Sequence, residues 1–286
     1  MAVLSSEDHD FWNENGYVVI HEAVPPENLK ACEEAIWEFL EMDADDPNTW
    51  YPHPPRPQIM VEIYQHQALW DNRQYPRIHQ AYSELRGTEK LWVSFDRASM
   101  SPPIRPPDYV PSMVGPMALH WDISSLLPPY RMIQGVLYLT DTAANQGAFT
   151  CVPGFHRRLE SWVKSLPPDA DPRKQDIMSL GAEAIPGKAG DLIIWSGALP
   201  HGAGLNTADR PRLVQYITMH LAQEEDEEAR AQRIHAWENR LAGTGGSSDL
   251  SRKEKEHNAG KTAKLTPLGR KLLGLDRWND EMPGEP

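Results

Sequence analysis

Between residues 117 and 221 the chain breaks into short apolar runs cut apart by glycine and proline, and this spacing restricts the fold most. Segments 117–121, 134–140, 148–152, 191–196 and 213–221 have strand length and composition. In the last of them Val214, Tyr216, Thr218 and His220 alternate with Leu213, Gln215, Ile217 and Met219, the two-residue period of a strand. Gly147, Pro153-Gly154, Pro186-Gly187 and Gly190 punctuate the runs. Strands separated by turns, without alternating helices, predict a sandwich or barrel. The 26 prolines fit short strands on stiff loops and disfavour a helical bundle.

Upstream, the pattern is helix, strand, helix. Ser5 or Ser6 can cap a helix running to Asn13, with acids in its first turn and Gly16 at its end. Tyr17-Val18-Val19-Ile20 reads as a strand. Pro25-Pro26-Glu27 opens a second helix, whose Leu29, Cys32, Ile36, Phe39 and Leu40 keep helical spacing. Residues 43–76 read as irregular, 77–87 as a short helix and 91–99 as a strand. Residues 101–116 hold six prolines and suggest an ordered loop, either at the rim of a site or without a role.

The net charge of −13 argues against nucleic acid as a partner, because a duplex binder needs a basic footprint. Residues 222–286 hold 13 acids and 11 bases, so the acidity belongs to the body. This segment reads as a charged C-terminal extension, helical to about residue 241 or partly disordered, with a flexible linker at 243–248. No apolar run reaches the roughly 18 residues of a membrane span, and no signal peptide is expected. Cys32 and Cys151 are read as free thiols of a reducing cytoplasm.

Three features of the strand-rich part carry chemistry together. His120 and Asp122 flank Trp121, and alternate side chains of a strand share one face, so imidazole and carboxylate can grip one metal ion. Trp121 then points away. His201 follows the run Gly190-Asp191-Leu192-Ile193-Ile194-Trp195 and opens His201-Gly202-Ala203-Gly204. Arg212 stands at the start of the next strand, and its planar fork suits a carboxylate. Two His and one carboxylate leave open positions on an octahedral iron. An exposed His-x-Asp strand pair with no ligand is the competing reading.

Phe11-Trp12-Asn13-Glu14-Asn15-Gly16-Tyr17-Val18-Val19-Ile20 resembles the opening of the phytanoyl-CoA dioxygenase (PhyH-like) family of iron(II)/2-oxoglutarate oxygenases. Leu139-Thr140-Asp141, Gly147 and Val152-Pro153-Gly154-Phe155-His156 resemble its middle. Gly190 to Trp195, His201-Gly202-Ala203-Gly204-Leu205-Asn206 and Arg212 resemble its end. The resemblance runs over residues 8–221. It implies a mainly β chain with peripheral helices: a double-stranded β-helix (jelly-roll) core, over residues 1–221, with N-terminal helices packed on it. It implies His120, Asp122 and His201 as iron(II) ligands and Arg212 as partner of the far carboxylate of 2-oxoglutarate, with Arg210 the competing candidate. Gln134 and Tyr138 share a strand face where such enzymes place a further co-substrate contact; packing or substrate contact are the alternatives. Asp122 separates the chain from halogenating relatives, which have Ala or Gly there.

The implied activity consumes 2-oxoglutarate and O2, releases succinate and CO2, and hydroxylates a C–H bond of a small molecule. Desaturation, cyclisation or epimerisation at the same site is the alternative outcome, and a jelly-roll binding protein without turnover the alternative class. Aromatic and proline-rich segments at 47–76 and 101–116 suggest an apolar or aromatic substrate. Asn206 is read as a turn residue, and His156 as making a structural hydrogen bond rather than a substrate contact.

Overall fold

The computed structural model describes residues 2–52, 56–105, 119–123, 126–127, 132–242, 255–258 and 260–279. Most of the proline-rich loop with Tyr109, the first two residues of the expected 117–121 strand, His53 and the 243–248 linker lie outside them.

Helix α1 (Ser6–Asn15) starts on Ser5, whose hydroxyl and Asp8 form a reciprocal capping box, and stops at Gly16 with φ 76°. Strand β1 (Tyr17–Ile20) follows, then α2 (Pro26–Leu40). Next come β2 (Ile59–Val61), α3 (Gln67–Arg73), α4 (Pro76–Arg86), β3 (Leu91–Val93) and β4 (Ala98–Ser101). The second half contains β5 (Ile133–Tyr138), β6 (Phe149–Cys151), α5 (Leu159–Ser165), β7 (Glu183–Ile185) and β8 (Leu192–Ser196). It closes with β9 (His201–Ala203), β10 (Arg212–Tyr216), β11 (Met219–Leu221), α6 (Glu227–Glu238) and α7 (Pro267–Leu273).

The centre is β, and among the described residues every pairing is antiparallel. Six strands in the order β1-β8-β5-β10-β4-β2 form the large sheet; β7-β6-β9 form a smaller one and β11-β3 a ribbon. The two-residue period divides the large sheet cleanly. Val18, Ile20, Leu137, Leu192, Ile194 and Leu213 face a core shared with α2, α3 and α4. Tyr17, Val136, Tyr138, Ile193, Trp195 and Val214 face a second core shared with Phe149, Cys151 and Ile185 of the small sheet. Gln215 is fully buried on the helical side. It accepts from the Asn72 amide at 2.7 Å and donates to the Leu69 carbonyl at 2.9 Å, tying α3 to the sheet. Gly135 leaves room for Tyr82, whose hydroxyl passes over it to the Ile217 carbonyl at 2.5 Å.

Two expected strands are each divided. Segment 91–99 splits into β3 and β4, and 213–221 into β10 and β11, because both partners leave the large sheet together and continue as the ribbon. Hydrogen bonds from the Tyr216 amide to Arg97 O and from Ser94 N to Thr218 O carry the pairing around this corner. Residues 43–76 are less irregular than expected. Three-residue β2 is too short to show a period. Helix α3 is buried on most sides and therefore lacks a polar stripe; its N-cap is His66, whose ring accepts from the Ala68 amide.

Helix α7 brings Leu272 and Leu273, both fully buried, into the helical-side core, and α6 packs the partly buried Trp237 against it. The Arg233 guanidinium lies between the rings of Trp92 and Phe95, 5.0 and 4.7 Å from their centroids. It donates to the carbonyls of Val93, Leu272 and Leu273. Burial, together with Arg233, pushes the neighbouring His220 imidazole down to about 4. The unfolded chain takes up this proton near pH 6.5, the folded chain only near 4. Stability from this group is therefore complete above about pH 6.5 and declines as the pH falls towards 4, by at most about 1.4 kcal/mol per pH unit. Burial shifts His66, His79 and His156 in the same direction. The melting temperature is expected to fall over this window, and less steeply in His220→Phe; equal slopes for the two proteins would contradict the assignment to His220.

Candidate metal centre

His120 and His201 are joined through the backbone. Each donates its amide to the other's carbonyl at 2.9 Å, an isolated antiparallel bridge at the edge of the small sheet. Their rings lie 4.9 Å apart between centroids. Asp122 follows two residues after His120 and meets both imidazoles. Its Oδ1 is 3.4 Å from His120 Nε2, and its Oδ2 is 3.3 Å from His201 Nε2. One donor atom from each residue falls within 4.8 Å of the others, close enough for all three to hold one ion. The described residues of the expected 117–121 strand form this single bridge and no strand, because only His120 pairs with a neighbour; Trp121 still turns away from the donors. Its indole donates to Ala198 O at 3.0 Å, and the ring packs against Phe155 and Trp162.

The surroundings prepare these donors. His201 is buried, beside the rings of Trp195 and Phe149. Its Nδ1 is 3.1 Å from the Leu199 carbonyl, which can only accept. Nδ1 therefore carries the proton and Nε2 offers its lone pair to the centre. When their Nε2 atoms are also protonated, His120 and His201 hydrogen-bond the Asp122 carboxyl and hold it well below the usual carboxylate range, against the opposing effect of burial; an ion would take the place of those protons. Gln134 on β5 assists, its amide donating to Asp122 Oδ2 at 2.7 Å.

These residues line a cavity of about 230 Å³ that also contains Arg212. Arg212 opens β10 and is 2 % exposed. Its guanidinium sits over the Tyr138 ring at 5.6 Å, and among the described residues neither Nε nor Nη1 has a hydrogen-bond partner. Arg210 is exposed. Asn206 shapes the turn that precedes them, donating to the carbonyls of Ser101 and Arg210 at 2.8 Å each. Tyr138 is beneath Arg212 rather than in the cavity lining. Its hydroxyl donates to Ile185 O and accepts from the Phe149 amide, both at 2.8 Å, so the ring face is what it offers the site. His156 is apart from the cavity, its ring hydrogen-bonded to Asn13 O at 3.2 Å against Gly16.

The cavity also contains Gln58, Asp96, Arg97 and Tyr216, which sequence reasoning missed. Asp96 and Arg97 occupy the corner between β3 and β4, where the sequence reads as one strand and gives no sign of a bend. The Gln58 amide donates to Ser99 Oγ and to the Tyr216 hydroxyl. Of the aromatic residues in the irregular segment, Tyr64 reaches a neighbouring chamber, whereas Trp50 and Trp70 belong to the core.

Gln134→Leu keeps volume and removes the donor to Asp122. Loss of such an outer partner typically costs about 10–100-fold in metal affinity. The variant is expected to lose iron(II) to a competing chelator in that proportion with an unchanged circular-dichroism spectrum; undiminished affinity would show that Asp122 needs no such support.

Two imidazoles and a carboxylate on one wall, facing a buried arginine, suit iron(II) with open positions and an anionic co-substrate, the design of a non-haem iron oxygenase. The phytanoyl-CoA dioxygenase (PhyH) family model matches residues 12–214, and the chain belongs to this family. It is an enzyme of the iron(II)- and 2-oxoglutarate-dependent dioxygenase class. Among sequence relatives, "Putative phytanoyl-CoA dioxygenase" of Dictyostelium discoideum is 25 % identical over 269 residues, covering 73 % of each chain. Among solved structures, the epimerase SnoN from nogalamycin biosynthesis, in complex with Fe3+, alpha ketoglutarate and nogalamycin RO, matches with TM-score 0.55 and 16 % identity, over 91 % of this chain and 94 % of that one. GlcNAc Inducible Gene 2 of Candida albicans matches with TM-score 0.72 and 13 % identity, over 98 % of this chain and 78 % of the other. At these identities the structural matches establish a shared fold.

Proposed function

We propose that the protein hydroxylates a C–H bond of a small molecule, with His120, Asp122 and His201 as iron(II) ligands and Arg212 as the grip on 2-oxoglutarate. The observation that carries this reading is the buried Arg212 guanidinium, two of whose nitrogens have no hydrogen-bond partner among the described residues, sharing one cavity with the three donors. A buried cation without a partner is costly to the fold, and a co-substrate carboxylate would satisfy it. When bound, iron with 2-oxoglutarate and O2 supplies the oxidation, in which one oxygen atom enters the substrate and the other the succinate released with CO2.

The chain's own contribution is position and dryness. Leu199 O fixes the tautomer of His201, and Gln134 orients Asp122. The Trp195 and Phe149 rings keep water from the inner side of His201. Tyr138 supports the guanidinium plane from below. The large and small sheets, facing each other across the second core, are read as the two halves of a double-stranded β-helix. Residues 1–221 are taken as the catalytic unit and 222–286 as an extension to it. Among the described residues no helix is long and apolar enough to cross a membrane, and the free, buried Cys32 and Cys151 fit a cytoplasmic protein.

Anaerobic addition of iron(II) and then 2-oxoglutarate to metal-free protein tests the reading. A weak metal-to-ligand charge-transfer band in the visible is expected. Iron binding without that band would mean that 2-oxoglutarate does not chelate the metal, and the assignment would fall.

A further inference from the structure

The metal cavity bounded by the described residues is small for a co-substrate and a substrate together. At about 230 Å³ it lies below the roughly 300–1,000 Å³ of pockets that enclose drug-sized ligands, and 2-oxoglutarate must occupy part of it. Beside it is a chamber of about 820 Å³, and Asp96 and Arg97 line both. One side of the chamber is the strand corner with Tyr64, Trp92 and Phe95; the other is α6, through Ala229, Gln232 and Arg233. Helix α6 lies beyond the region matched by the family model.

The lining has a definite chemistry. Phe95 is the half-buried ring of the lining, and Trp92 and Tyr64 are buried. Arg233 lies between Trp92 and Phe95, and its hydrogen bonds go to main-chain carbonyls; among the described residues it forms no ion pair. Arg97, by contrast, is 3.4 Å from Glu62, and its charge is matched. The chamber therefore presents the Phe95 ring and the Arg233 guanidinium, which pairs with no carboxylate among the described residues, beside the Asp96 carboxyl and the ion-paired Arg97.

Resting on the oxygenase reading above, we infer that the substrate spans both cavities, with its reacting carbon beside the metal donors and an aromatic, acceptor-bearing or anionic part in the chamber under α6. Asp96 and Arg97 form the sill over which it passes. The C-terminal extension thereby becomes a specificity element, because it supplies one wall of the substrate site.

The test uses the full-length protein and 8-anilinonaphthalene-1-sulfonate, a planar aromatic anion whose fluorescence rises in apolar surroundings. Saturable binding to the unmodified protein is expected. Under anaerobic conditions the bound dye should also shift the charge-transfer band of the iron(II)–2-oxoglutarate complex, because the chamber adjoins the metal cavity. Ala229→Trp fills the chamber from α6 and should weaken dye binding by about tenfold or more and abolish the shift. Gln232→Trp, at an exposed position on the same helix, serves the same purpose at less risk to folding. Both variants should still form the band, since neither residue touches the metal donors or Arg212. Equal dye affinity in both variants, or dye binding that never moves the band, would overturn the inference. Absence of the band from the unmodified protein without dye would instead overturn the oxygenase reading, a failure distinguishable because dye binding is read separately.

Discussion

Asp122→Ala should abolish succinate formation while leaving the fold intact. Asp122 is the sole carboxylate of the three-donor cluster and the residue both histidines meet. Its side chain is nearly half exposed, so truncation leaves little cavity. On the proposed assignment, what is lost is one of three protein ligands and the negative charge that would balance a divalent ion. Loss of an outer partner alone costs about 10–100-fold in affinity, so losing a direct ligand should exceed that. Iron retained after gel filtration and succinate formed per enzyme are the two measurements. Retention of both at wild-type levels would remove Asp122 from the centre.

Arg212→Met should produce two effects of opposite sign. Breaking a buried charge-assisted contact with a carboxylate costs about 2–5 kcal/mol, a factor of roughly 30 to several thousand in 2-oxoglutarate affinity. The protein without co-substrate should respond differently. Its Arg212 is buried with two nitrogens lacking partners among the described residues, and replacing such a charge by an apolar side chain of similar length removes a desolvation penalty. The variant should therefore melt no lower, and by this argument higher, than the unmodified protein when both are free of ligand. Addition of 2-oxoglutarate should raise the melting temperature of the unmodified protein by mass action and leave that of Arg212→Met almost unmoved. A ligand-free variant that is strongly destabilised would show that Arg212 serves packing on Tyr138 rather than a co-substrate.

The legible parts of the chain were those governed by local rules. Ser5 with Asp8, Gly16 and the Pro26 start announce helix ends because capping depends on a few neighbouring residues. The alternation in β10 announces which side chains face the site, and it puts Arg212 on the same face as Val214. The His120, Asp122 and His201 cluster was legible through family motifs together with strand alternation. Residues set by tertiary context were not. Helix α3 is enclosed by neighbours and so has no hydrophobic stripe to detect. The corner at Ser94–Arg97 depends on β3 and β11 pairing with each other, a fact held in two distant segments. Asp96 and Arg97 enter the cavity only because of that corner. The packing of Leu272 and Leu273 into the main core was hidden in the same way, by a charged and turn-rich surrounding sequence.

The mutual amide bonds of His120 and His201 have a consequence for how iron is acquired. The long stretch of chain between the two ligands is closed by the protein's own backbone, so the ion does not have to bring them together. Metal uptake should then resemble filling a ready socket more than folding a flexible clamp. Amide hydrogen exchange at these two positions should be slow before iron is added and change little afterwards. Within the segment that leaves and returns between them, the exposed turn near Pro167 becomes a natural place for inserting or deleting residues without disturbing the ligands, whereas Arg173 just beyond it ties its own turn to the carbonyls of Trp121 and Ile123.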